Sequence, residues 1–172
     1  MVFFVENMYA IIFLLIIFFL LLSMCLVQIN ENERGIKFSF GNFHSVLNPG
    51  FRFIIPIIQS CKKIDISPKK IEISNLTIIT HDNRTVNVNA IIHCQIFDPA
   101  KAMLEVDNYY VALVELSKIT IRNVANSITS DEILNRRERT GSSICDILNK
   151  SADAWGIKVS KVELVEVNVI KK

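Results

Sequence analysis

The sequence carries none of the motifs that announce catalysis. It has no Gly-rich phosphate loop, no Gly-x-Ser-x-Gly elbow and no His-Glu-x-x-His pair, the arrangements that cradle phosphate, expose a nucleophile or hold zinc. His44, His81 and His93 lie far apart, so converging metal ligands are not expected, and no cofactor is implied. Cys25, Cys61, Cys94 and Cys145 show no paired spacing. That excludes a disulfide framework and favours a reducing compartment. The formal charge is +2, with no basic stripe, so nucleic acid is not an expected partner. Repeats and low-complexity segments are also absent. A chain of 172 residues then has room for one domain and an anchor.

What the sequence does have is an apolar run. Residues 8–27 contain no charge. As a helix they would span roughly 30 Å, about the thickness of a bilayer's hydrocarbon core. Only Glu6 is charged before the run, and no Ala-x-Ala pattern follows it. A cleaved signal peptide would need a basic start and a small-residue cleavage site. The run therefore reads as an uncleaved transmembrane helix after a short tail at 1–7. Arg34 and Lys37 follow the run and no Lys or Arg precedes it, which places the domain on the cytoplasmic side of a single-pass protein. Asn75-Leu76-Thr77 and Asn83-Arg84-Thr85 are sequons that would matter only in a secretory lumen.

After a polar linker at 28–33, residues 34–170 read as one α+β domain. Ile36, Phe38 and Phe40 alternate with Lys37 and Ser39, as in a half-buried strand. Short β-branched runs at 64–66 and 71–73 flank Pro68, and another covers 76–80. His81-Asp82-Asn83-Arg84 is a hairpin loop. In the long strand at 85–97, Val86, Val88, Ala90, Ile92, Cys94 and Ile96 share one face and Asn87, Asn89, His93 and Gln95 occupy the other. That pattern suits an antiparallel sheet covered on one side. Asp98-Pro99 opens a helix. Residues 108–128 are helix-compatible, with Leu113, Leu116, Val124 and Ile128 as expected core contacts. Thr129-Ser130-Asp131-Glu132 is a capping box. From Ser142, the residues Ile144, Ile147, Leu148, Ser151, Ala152 and Trp155 keep helical spacing up to Gly156. The last strand, 157–169, loses its apolar phase near Lys161, which predicts a bulge.

Two features suggest contacts rather than chemistry. Residues 49–58 are apolar and bracketed by Pro49 and Pro56. They read either as a buried strand or as an interfacial patch in which Phe51, Phe53, Ile54 and Ile55 enter the bilayer surface and Arg52 reaches headgroups. Arg136, Arg137 and Arg139 read as a solvated helix face, or as an ionic contact to a neighbouring subunit or anionic lipid.

These residues resemble the stomatin/prohibitin family, also called band 7 or SPFH, and within it the stomatin-like bacterial members. The resemblance is carried by Glu33-Arg34-Gly35-Ile36 with Phe40-Gly41-Asn42-Phe43, and by Leu47-Asn48-Pro49-Gly50-Phe51 through Ile55-Pro56. Thr80-His81-Asp82-Asn83, Asp98-Pro99-Ala100-Lys101-Ala102, Arg122 and Trp155-Gly156-Ile157 complete it. It implies an SPFH domain, an antiparallel sheet with packed helices, behind the N-terminal anchor. The implied function is a non-enzymatic scaffold that homo-oligomerises, or hetero-oligomerises with another member, on membrane lipid and modulates neighbouring membrane proteins. Regulation of a membrane-bound protease is the alternative, as is a truncated member lacking ring assembly. A bacterial inner or plasma membrane is the implied location. Two departures stand out. Where stomatin-like members usually show an Arg-Glu/Asp-x-x-Asn pattern the chain has Arg137-Glu138-Arg139-Thr140-Gly141, and a glycine there weakens a helix by up to about 1 kcal/mol relative to alanine. The coiled-coil extension that follows the last strand in members is absent before Lys172.

Overall fold

The computed structural model describes residue 8, residues 13–17 and residues 25–170. It divides into two compact units, Met1–Asp65 and Ile66–Lys172.

The first unit is built of five antiparallel strands: β1 (Leu26–Ile29), β2 (Glu33–Ser39), β3 (Asn42–Leu47), β4 (Gly50–Phe53) and β5 (Gln59–Asp65). β1 pairs with β4, and β2 is central between β3 and β5. Ile29, Ile36, Ile54 and Ile64 are its buried side chains. Gly35 makes this packing possible, because a Cβ there would lie 2.6 Å from Ile29 Cδ1 and 2.9 Å from Cys61 Sγ.

The transmembrane helix expected over residues 8–27 is corrected. Among the described residues no helix is long and apolar enough to cross a membrane. Leu26 and Val27 are strand residues, paired with Phe53 and Arg52. Residues 13–17 are helical, and the remainder of the run, 9–12 and 18–24, lies outside the described residues. The single-pass placement and the cytoplasmic side assigned from that helix fall with it. Gln28 and Ile29, expected in the linker, close strand β1.

The second unit has an antiparallel sheet, β6 (Lys69–Ile79), β7 (Thr85–Ile96) and β8 (Ile157–Ile170), in the order β6-β7-β8. Helices α1 (Pro99–Leu104), α2 (Tyr109–Ser127), α3 (Ser130–Asn135) and α4 (Arg137–Ala152) lie between β7 and β8 in the chain. The six residues expected inward from β7 are all buried. Leu113, Ile121, Ile144 and Leu148 of the helices are also buried, and burying each such side chain contributes about 1.5–3 kcal/mol. α2 packs on β6, α4 on β8, and the two helices on each other.

The local signals act as the chemistry requires. Asp98 accepts from the Ala100 and Lys101 amides ahead of Pro99, and Thr129 with Glu132 forms the capping box. Gly156 ends the last turn at φ 66°. The slip near Lys161 is a bulge at Ser160, and a second bulge falls at Val165. The runs at 71–73 and 76–80 belong to one strand, β6, interrupted by an irregularity with Asn75 at φ 55°.

Two expectations about the helices are revised. In α2 only Leu113 of the four proposed core residues is buried. The buried stripe is Leu113, Ser117, Thr120, Ile121 and Ala125. Ser117 and Thr120 can face the core because their hydroxyls donate to the carbonyls of Leu113 and Leu116, one turn back. α4 starts at Arg137 rather than Ser142, and Gly141 is a contact rather than a defect: a Cβ there would lie 2.4 Å from the Val162 carbonyl oxygen.

α4 also closes the free edge of β8. The Asn149 amide donates to Val159 O and accepts from Val159 N, both at 2.8 Å, as a neighbouring strand would. Arg137 donates to Val165 O at the second bulge, at 3.2 Å. Gly141→Ala should therefore destabilise by about 1–3 kcal/mol through overpacking, although alanine is the better helix former by up to about 1 kcal/mol. Urea denaturation reads the sign. Asn149→Ala should lower stability by about 1–3 kcal/mol, because it strands two buried backbone groups.

Candidate functional site

The surface of the first unit carries a continuous apolar edge. β2 and β3 turn through Phe40 and Gly41, at φ 51° and 82°. Two-residue hairpin loops that match strand twist need both central residues there. A bulky side chain in that region is strained, yet Phe40 stands at the tip, 80 % exposed. Its amide donates to Ile58 O at 3.0 Å, which ties the tip to the turn at 55–58. Ile57 in that turn is 92 % exposed. The β1–β4 ribbon continues the edge. Phe51 and Phe53 alternate onto one strand face, Leu26 lies opposite Phe53, and the two phenylalanines are 73 % and 56 % exposed.

The five residues singled out at 51–55 thus divide. Phe51, Phe53 and Ile55 are exposed. Arg52 points to the other face of β4, with its Nε donating to Asn48 O at 3.2 Å. Ile54 is buried, its amide donating to Cys25 O. Phe40 and Ile57 were not singled out. The signal available for Phe40 was a phenylalanine immediately before a turn glycine.

In the second unit Arg136, Arg137 and Arg139 meet at the joint between α3 and α4 and line one shallow groove. Arg137 also reaches β8 through Val165 O. Arg136 and Arg139 also line a second cleft, with Val124, Ile128 and Thr140.

A cleft of about 760 Å³ runs between α4 and β8 and is lined by charges of both signs, among them Arg137, Asp146, Lys161 and Glu163. Cys145 in it lies 3.4 Å from Val159 O. Burial, reinforced by the Asp146 carboxylate, pushes its thiol upward, the wrong direction for a nucleophile. Among the described residues no three His, Cys, Asp or Glu side chains are placed to hold a metal.

One polar cluster escaped the sequence reading. Asp82, in the β6–β7 loop, accepts from Ser130 Oγ at 2.6 Å and Ser130 N at 3.1 Å, 48 residues away, and from Thr80 Oγ1. Arg84 Nε lies 3.2 Å from it. Asp82 therefore fastens the hairpin to the start of α3, a structural role that the loop's turn-like composition masked. The bonds from Ser130, then Thr80, hold its carboxyl well below the usual carboxylate range. A carboxyl depressed by folding stabilises above its unfolded pKa, about 3.9, and that stability is lost as pH falls through the folded value. The denaturation midpoint should fall below about pH 4. Asp82→Asn should lower the neutral-pH midpoint and flatten this acid limb.

The arrangement of the second unit is an antiparallel sheet with packed helices. Residues 27–171 match the SPFH domain / Band 7 family, and the chain belongs to it. The fold of that family is known as a non-catalytic scaffold. An uncharacterized protein of Methanocaldococcus jannaschii is 36 % identical over 143 residues, 83 % of this chain and 72 % of the relative. A stomatin homolog of Pyrococcus horikoshii is 31 % identical over 166 residues, 96 % of this chain and 62 % of the relative. Stomatin-1 of Caenorhabditis elegans is 31 % identical over 147 residues, 85 % and 44 %. The chain thus spans between 44 % and 72 % of these relatives. The stomatin-like resemblance is upheld, and the archaeal relatives replace the expected bacterial ones.

Proposed function

We propose that the chain is a non-enzymatic scaffold of stomatin-like type. It gathers at a bilayer surface through the aromatic edge of its first unit, oligomerises there, and modulates neighbouring membrane proteins. The observation that carries this reading is the edge itself. Phe40, Phe51, Phe53 and Ile57 are large apolar side chains exposed to water, Phe40 and Ile57 in turns and the two others on strand β4. Exposed apolar surface of this kind marks a contact with a partner or a membrane. Aromatic side chains suit the headgroup boundary, where shallow burial of apolar area supplies the binding energy. Family membership favours a lipid surface, and Arg52, turned to the opposite strand face, takes no part in the contact.

A tryptophan placed in the edge tests this in the full chain. With Phe53→Trp in a Trp155→Phe background, phosphatidylcholine vesicles should shift the emission to shorter wavelength. Lipids brominated near the carbonyl should quench it. Emission that stays at its aqueous position and is not quenched would remove the edge from the bilayer and the surface-scaffold reading with it.

A further inference from the structure

Two guanidinium groups at the α3–α4 joint are without an acidic partner. Arg136 connects the two helices at φ −128°, ψ 43°, and Arg139 follows in the first turn of α4. Neither enters an ion pair or a side-chain hydrogen bond among the described residues. Both line the cleft of about 230 Å³ walled by Val124 and Ile128 at the end of α2.

A second observation comes from Thr140 in the same cleft. It is only 8 % exposed, and its hydroxyl has no hydrogen-bond partner among the described residues. The hydroxyls of Ser142 and Ser143 beside it donate to the carbonyls of Glu138 and Arg139, one turn back. Its oxygen is not among the buried side-chain atoms left without a partner, which are Asn87 Oδ1 and His93 Nε2 among the described residues, so it is open to the cleft. The cleft's carboxylate, Glu132, is already engaged: its Oε2 accepts from Thr129 N and Thr129 Oγ1 in the capping box. α4 begins here with no side-chain cap, so its first amides add positive potential on the same side.

We propose that this cleft binds a phosphate group, held by Arg136 and Arg139 with the Thr140 hydroxyl as a further donor. Guanidinium forks match phosphate oxygens in pairs, and the two guanidiniums outweigh the one Glu132 carboxylate, which leaves the cleft net positive. The volume equals roughly seven waters at ~30 Å³ each, enough for a phosphate and part of its hydration. Val124 and Ile128 give an ester group an apolar wall. The phosphate comes from a lipid headgroup or from solution, and the chemistry that recognises it is the same. This site lies in the second unit and does not rest on the aromatic edge.

The experiment has two arms, both on the full chain. Calorimetry with inorganic phosphate at constant ionic strength reads free phosphate. Co-sedimentation with phosphatidic acid vesicles, against phosphatidylcholine vesicles as baseline, reads the headgroup. The double substitution R136Q/R139Q, at exposed positions that do not threaten the fold, should weaken binding by roughly tenfold or more. Thr140→Val should weaken it several-fold, and Thr140→Ser should restore it. Arg122→Gln on α2 should change nothing. Saturable phosphate binding lost in the double variant supports a solution ligand. A phosphatidic acid increment lost in that variant, without free-phosphate binding, supports a headgroup. Absence of binding in both arms, or binding equal in wild type and double variant, overturns the proposal. Phe51→Ser/Phe53→Ser lowers binding to both vesicle types together and leaves the increment, so failure of the edge and failure of the cleft are told apart.

Discussion

The fit of α4 against the edge of β8 organises the second unit. An edge strand presents unpaired amides and carbonyls, which native proteins cover or blunt. Here a helix covers them through three contacts of different kinds. Gly141 brings the helix backbone against the Val162 carbonyl, Asn149 pairs with both backbone groups of Val159, and Arg137 takes the carbonyl of bulged Val165. As the helix runs through 137, 141 and 149 its strand partners run through 165, 162 and 159, so the helix lies along the strand. That alignment fixes where α4 begins, and with it where Arg136 and Arg139 stand.

Much of this unit was legible in the sequence because the relevant forces are local. The alternation in β7, the capping box at Thr129 and the stop at Gly156 each follow from residues a few positions apart. The stripe on α2 was misread because Ser117 and Thr120 count as polar, whereas their hydroxyls are satisfied within the helix. Gly141 was misread because its reason lies about twenty positions away, in β8. Asp82 was passed over for the same reason: its partner Ser130 is 48 residues distant. Residues 8–27 showed the opposite failure. Apolar length alone was taken for a spanning helix, but Leu26 and Val27 are held by a strand ladder to β4, which composition does not reveal.

The two candidate surfaces divide the physics of contact between the units. The first unit offers shape and apolar area, with a strained phenylalanine at its tip and cationic Arg52 turned away. The second offers charge, with Arg136 and Arg139, which enter no ion pair among the described residues, lining one small cleft beside the Thr140 hydroxyl. Apolar contact is insensitive to salt, whereas exposed charge is screened over about 8–10 Å at physiological ionic strength.

The placement of β8 at the end of the domain also has a consequence in time. β7 is the central strand, but its second neighbour is made last; the Asn89 to Glu166 bond spans 77 residues. At ~5–20 residues per second, the stretch between Ile96 and Ile157 takes roughly 3–12 s to synthesise. The β6–β7 hairpin meanwhile exists on the ribosome with one long strand edge unpaired and its Val86 to Ile96 face awaiting a cover. Non-local pairing of this sort folds slowly, so an interval of exposure to aggregation falls before β8 is made.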